Sequence, residues 1–129
     1  MAEGFPATTG DIFTAADYNG LVAFTVGAAN TADYTAVIAD AYQVLEVMNK
    51  ATAIAFKIPT NASVAFPIGT VITVLNIGVG VCTISAVTSG TTTILSAGAV
   101  AAAPTLAQYK SAACIKTGTD TWYIVGAIG

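Results

Sequence analysis

Seven carboxylates, four lysines and two cysteines supply the acid–base and thiol chemistry open to this chain, which has neither histidine nor arginine. Without histidine no Ser-His-Asp triad can be assembled. Paired carboxylates could still do general acid–base work, drawn from Glu3, Asp11, Asp17, Asp33, Asp40, Glu46 and Asp120. Six of those seven lie in the first 46 residues, where they read as helix caps, turn residues and solubilising charges. Cys82 and Cys114 are too few and too far apart for a zinc site and read as small buried hydrophobes. Gly78-Val79-Gly80 is a fragment of a dinucleotide fingerprint, but Thr83 stands where a third glycine belongs and no helix follows. Tyr109, Trp122 and Tyr123 could form a sugar-stacking platform, although the alternation Trp122-Tyr123-Ile124 assigns Trp122 to a core and only Tyr123 to the opposite face. Lys110 and Lys116 read as charges that keep an edge strand soluble. The expectation is a chain with no catalytic residues, metal site, cofactor or small-molecule substrate.

What must position these residues is a chain of 129 residues, the size of one domain. It is 55% hydrophobic and only 9% charged, with a net charge of −3 and a mean hydropathy of +0.75. That balance leaves no electrostatic footprint for a phosphate backbone, so nucleic acid is not an expected partner. The stretch Ser63–Gly80 carries no charge at all, yet Pro67, Gly69, Asn76, Gly78 and Gly80 break it as a membrane helix. No membrane partner is expected. The opening MAEGFPATTGD shows neither basic segment nor apolar run, which points away from a secretory signal and toward synthesis in a cytoplasm. So few charges cannot cover a lone monomer well, so part of the apolar surface is expected to be covered by copies of the chain itself or by a partner.

The chain divides into an N-terminal arm, residues 1–35, and a β-domain, residues 36–129. In the arm, Thr14 and Asp17 have capping-box spacing and predict a short helix from Ala15 to about Phe24. Two turns of helix are marginal alone, so the arm is expected to order by docking through Phe5, Ile12, Phe13, Tyr18, Leu21 and Phe24. From Tyr42 onward the pattern is strand and turn. Ile54, Phe56 and Ile58 alternate with Ala55 and Lys57, and Pro59 closes that strand. Both faces of TVITVLNIG are largely apolar, the signature of a strand buried on two sides. Further strands are predicted at VCTISAV, TTTILS, QYKSAACIK and TWYIVGAI, with a long packed connection at AGAVAAAPTLA. There is no solenoid-type sequence repeat. The predicted architecture is all-β, a small sandwich or barrel-like domain, self-associating through Val71, Ile72, Val74, Leu75 and Ile77.

Three blocks carry a family resemblance. Ser63-Val-Ala-Phe-Pro-Ile-Gly-Thr70, then Val74 to Gly80 followed by Val81-Cys-Thr-Ile84, and finally Ile115-Lys-Thr-Gly-Thr-Asp-Thr-Trp122 with Gly126, together resemble a small β-domain of tailed-bacteriophage virion proteins. The opening GDIFTAADYNGL is similar to a segment near the start of many phage structural proteins. The resemblance spans about residues 42 to 129 and implies a virion structural role, often as a homotrimer. The chain's length favours a capsid decoration (cement) protein with the major capsid protein as partner, located on the capsid surface. The alternative it implies is a head-fibre, tail-fibre or tail-tip component that binds a host receptor or glycan.

Overall fold

The computed structural model describes residue 15, residues 24–42 and residues 44–129. Among the described residues ten strands follow one another: β1 (Thr25–Val26), β2 (Tyr34–Thr35), β3 (Val44–Met48), β4 (Ile54–Ile58), β5 (Val71–Asn76), β6 (Cys82–Ala86), β7 (Thr93–Ser96), β8 (Thr105–Leu106), β9 (Lys110–Gly118) and β10 (Thr121–Gly126). A single 3-10 turn, Ile38–Ala41, sits between β2 and β3. The protein is all-β, as its alternation and turn spacing predicted.

The strands build two mixed sheets. The larger has the order β1-β3-β5-β9-β10-β7 and the smaller β2-β4-β6-β8. Through β6 the chain alternates between them, and every pairing among those six strands is parallel: β1 with β3, β3 with β5, β2 with β4, and β4 with β6. The chain thus winds in coils, each laying one strand on each sheet. Parallel neighbours need such long crossovers. The β9–β10 hairpin then extends the larger sheet, with β9 antiparallel to β5 and β10 parallel to the edge strand β7.

The coils are held close by glycine. A Cβ on Gly78 would collide with the Lys50 backbone and one on Gly80 with the Thr52 backbone, while the Gly80 N–H donates to the Lys50 carbonyl at 2.9 Å. Gly78-Val79-Gly80 is therefore a packing device between successive coils. Beside it Asn76 is fully buried; its Nδ2 donates to the carbonyls of Gly80 and Leu106, both at 2.9 Å, and its Oδ1 accepts from the Gly78 N–H at 3.0 Å.

The two sheets share one core. Met48, Ile72, Val74, Ile94, Cys114, Trp122 and Ile124 come from the larger sheet and Ile54, Phe56, Ile58, Cys82, Ile84 and Leu106 from the smaller. Trp122 meets Phe66 edge-on at 5.5 Å, and Phe56 stacks on Tyr34 at 5.9 Å. Both cysteines are buried and free, and burial pushes the Cys82 thiol up to about 11 and that of Cys114 higher still.

Within the single chain strand β5 buries one face: Ile72, Val74 and Asn76 are buried, whereas Val71 is exposed and Thr73 and Leu75 half-buried, because only one face meets the other sheet and the second is the one expected to meet another copy. The short helix falls on residues outside those described, save helical Ala15 and Phe24; Phe24 is exposed and irregular and leads directly into β1. Within residues 1–35, Thr25–Val26 and Tyr34–Thr35 each add an edge strand to one of the sheets.

Candidate functional site

Strand register decides which side chains share a face. On the outer side of the larger sheet, one row runs Val26–Leu45–Thr73–Ala113–Val125 across five strands. A second runs Val71–Ile115–Tyr123–Leu95, and a third Val47–Leu75–Ser111. These rows contain no charged residue, and Thr73 and Ser111 are their only non-aromatic polar members. Val26, Val71, Leu95, Tyr123 and Val125 are exposed. Toward one edge, Leu95, Tyr123, Val125 and Ile128 line a shallow groove.

The outer side of the smaller sheet differs throughout. Its register rows are Thr35–Lys57–Ser85 and Ala55–Thr83–Thr105, small or polar side chains that suit contact with water. The chain therefore presents one wet sheet face and one dry one. Strands about 4.8 Å apart and paired over two to six residues give the dry face on the order of 400 Å², comparable to the largest apolar patches that soluble monomers expose and often use.

Of the residues expected to drive self-association, Val71 and Leu75 occupy this outer side, while Ile77 follows the end of β5 and is half-buried. Ile72 and Val74 do not; both point inward and are fully buried in the chain's own core. Sequence alternation had identified the strand, but it missed the partners from β3, β9, β10 and β7 that make the face continuous. Among the arm residues Phe24 is described and exposed, while Phe5, Ile12, Phe13, Tyr18 and Leu21 lie outside the described residues. The aromatic platform is not assembled. Trp122 is core, and exposed Tyr109 precedes β9 whereas Tyr123 pairs with Ile115 further along it, on the order of 20 Å away at about 3.4 Å per residue.

Two buried polar clusters complete the inventory. Tyr34 Oη and the Val37 N–H donate to Asp40 Oδ2 at 2.8 and 2.9 Å, and Asn30 Nδ2 donates to Glu46 Oε2 at 3.0 Å. Burial, reinforced by the neighbouring Asp40 carboxyl, pushes Glu46 up to about 7. This cluster ties the segment before β3 to the body of the fold. The second cluster surrounds Lys116, which was expected at an edge but lies on central strand β9 and is 2% exposed. Its Nζ donates to Asn61 Oδ1 at 2.6 Å and to the Phe66 carbonyl at 2.7 Å. Among the described residues, no three histidine, cysteine, aspartate or glutamate side chains gather to hold a metal, and no helix is long and apolar enough to cross a membrane.

No family model, curated protein or solved structure matches the chain.

Proposed function

We propose that this chain is a structural protein that works by association, and that its uncharged outer sheet face is the surface through which copies of the chain meet. The observation carrying the reading is the contrast between the two outer faces, one of Thr, Ser, Ala and Lys and the other of Val, Leu, Ile, Ala and Tyr. A face on the order of 400 Å² is about half of the roughly 800 Å² that each partner contributes to a standard interface. The missing area is assigned to chain flanking the face, and Phe24 enters β1 at the edge of that same sheet.

The three sequence blocks that resemble phage virion β-domains suggest a setting for the assembly: a bacteriophage capsid decoration protein, a homotrimer on the capsid surface, with the part of the arm that precedes β1 reaching across neighbouring major capsid protein subunits. Bound only to the assembled shell, many copies stabilise that shell by mass action. The fibre or tail-tip role is the competing assignment within the virion.

The test is the solution mass of the purified chain, followed by mixing with empty shells lacking it. A species near three times 12.9 kDa that co-sediments with shells in stoichiometric numbers is the expected result. A trimer that ignores shells and binds host cells moves the assignment to a fibre or tail tip, and a monodisperse monomer refutes association through the sheet face.

A further inference from the structure

A lysine held inside a protein needs an explanation, because ionised side chains are almost never fully buried unless paired. Lys116 is 2% exposed, and both of its hydrogen-bond partners are uncharged carbonyl oxygens, one of them the side-chain amide of Asn61. An ammonium has three N–H groups to place, whereas a neutral amine has two and a lone pair. Two acceptors are what the site offers. Burial lowers the proton affinity of Lys116 below the ordinary lysine range, in the direction that produces the neutral amine.

The neighbouring groups complete a reactive constellation. The Asn61 carbonyl carbon lies one C=O bond, about 1.23 Å, beyond an oxygen 2.6 Å from Nζ, so the two reacting atoms are within about 3.8 Å. The Asn61 backbone is anchored beside them: its N–H donates to Asp120 Oδ1 at 2.8 Å, and Thr92 Oγ1 donates to the same oxygen at 3.3 Å. Asp120 is also the carboxylate whose charge is felt at Lys116. Buried Phe66 and Trp122 pack against each other here; Phe66 supplies the second carbonyl acceptor and Trp122 is the cross-strand partner of Lys116, so apolar walls cover the lysine, while Asn61 is half-buried.

We propose that Lys116 and Asn61 form an intramolecular isopeptide bond in the folded chain. The neutral Nζ attacks Cγ of Asn61, as activated lysine amines attack carbonyls generally. Nζ gives up one proton, Nδ2 gains one, the Cγ–Nδ2 bond breaks and ammonia departs. One C–N bond replaces another, with no oxidant or reductant. Asp120 relays the proton from Nζ to Nδ2. Proximity supplies the rate, since the fold holds nucleophile and carbonyl near attack distance. The product joins the loop after β4 to central strand β9, across 55 residues of sequence, and makes permanent a contact that now rests on hydrogen bonds. It would restrict the unfolded chain as a disulfide of similar span does, without depending on redox conditions.

Intact-mass spectrometry of the purified, folded full-length chain tests this directly. The expected mass is the sequence mass less one ammonia, about 17 Da, and tandem spectra contain one branched peptide joining Asn61 to Lys116, with no tryptic cleavage after Lys116. Asn61→Ala and Lys116→Met keep the full mass. Asp120→Asn, shown to be folded by the fluorescence of buried Trp122, forms the bond more slowly by tenfold or more. A chain that retains its full mass after prolonged incubation overturns the proposal. So does loss of ammonia without a joined peptide, which is the product of an Asn61 succinimide. An Asp120→Asn chain that cross-links at the unaltered rate removes Asp120 from the relay.

Discussion

The outer faces of the two sheets are built by the same winding and finished differently. Coil after coil contributes one strand to each, yet the smaller sheet shows Thr35, Lys57, Ser85, Thr83 and Thr105 outward while the larger shows Val26, Leu45, Leu75, Val71, Ile115 and Val125. Stability of the single chain does not demand this asymmetry, because both inner faces already feed the shared core. A dry outer face is conspicuous in a chain with so few charges. The difference separates residues that hold the chain together from residues available to hold chains to one another.

Strand β5 is where the separation can be cut most cleanly, since its successive side chains serve the two purposes in turn. Ile72→Ala removes a fully buried side chain and is expected to cost about 3 kcal/mol of folding stability. Val71→Ala, one residue away and 40% exposed, should change it by less than about 0.5 kcal/mol. Urea denaturation of both variants measures the pair; equal losses would mean that the outer face is as structural as the inner one.

Placing a charge on each outer face sharpens the comparison from the association side. Val125→Lys puts an unpaired ammonium on the dry face and is expected to weaken self-association about 100-fold, or about 2.7 kcal/mol. Thr83→Lys puts the same group on the wet face and should leave the oligomer intact. Sedimentation equilibrium distinguishes them, and dissociation by both variants would break the link between apolarity and assembly.

The inner half of this organisation was open to sequence reading and the rest was not. The alternation Ile54, Phe56, Ile58 and the turn before Trp122 located β4 and the β9–β10 hairpin, because short-range pattern is what fixes a strand and its buried side. The coiled winding left no such trace. Val26 pairs with Leu45 but Leu45 pairs with Thr73, so coil length varies and no constant period is written into the chain. Strands β1, β2 and β8 have two residues each, too few for an alternation to register. Lys116 looked like a surface residue because its partner Asn61 is 55 residues away, and the role of Asn76 was equally hidden because it binds Leu106, 30 residues on. The continuous dry face was hidden for the same reason, since its rows draw on β1, β3, β5, β7, β9 and β10 at once.

A smaller effect concerns the edge of the larger sheet, where β1 and β3 meet and the Asp40–Glu46 cluster ties down the segment between β2 and β3. The folded chain keeps a proton on Glu46 up to about pH 7, whereas the ordinary glutamate value is 4.5. Between those values the folded state binds more protons than the unfolded one, so stability falls as pH rises. The contribution is complete below about pH 4.5 and is lost on passing through pH 7. Urea midpoints measured from pH 5 to 8 should decline, and Glu46→Gln, whose neutral amide keeps a donor and an acceptor without the charge, should flatten the decline. If that variant retains the slope, the pH dependence arises outside this cluster.

The smallest expected effect is the response of assembly to salt, and it discriminates because it is small. Pairing through Val71, Leu75, Ile115 and Val125 removes apolar area from water and involves no ion pair. Raising sodium chloride from 0.05 to about 0.5 M therefore should not weaken it, although the same change shortens the Debye length severalfold. Sulfate should tighten it, because excluded salts favour apolar burial. If added chloride instead dissociates the oligomer steeply, charges are holding it together. The contact would then have to involve the face that carries Lys57, and the assignment of the two outer faces would be reversed.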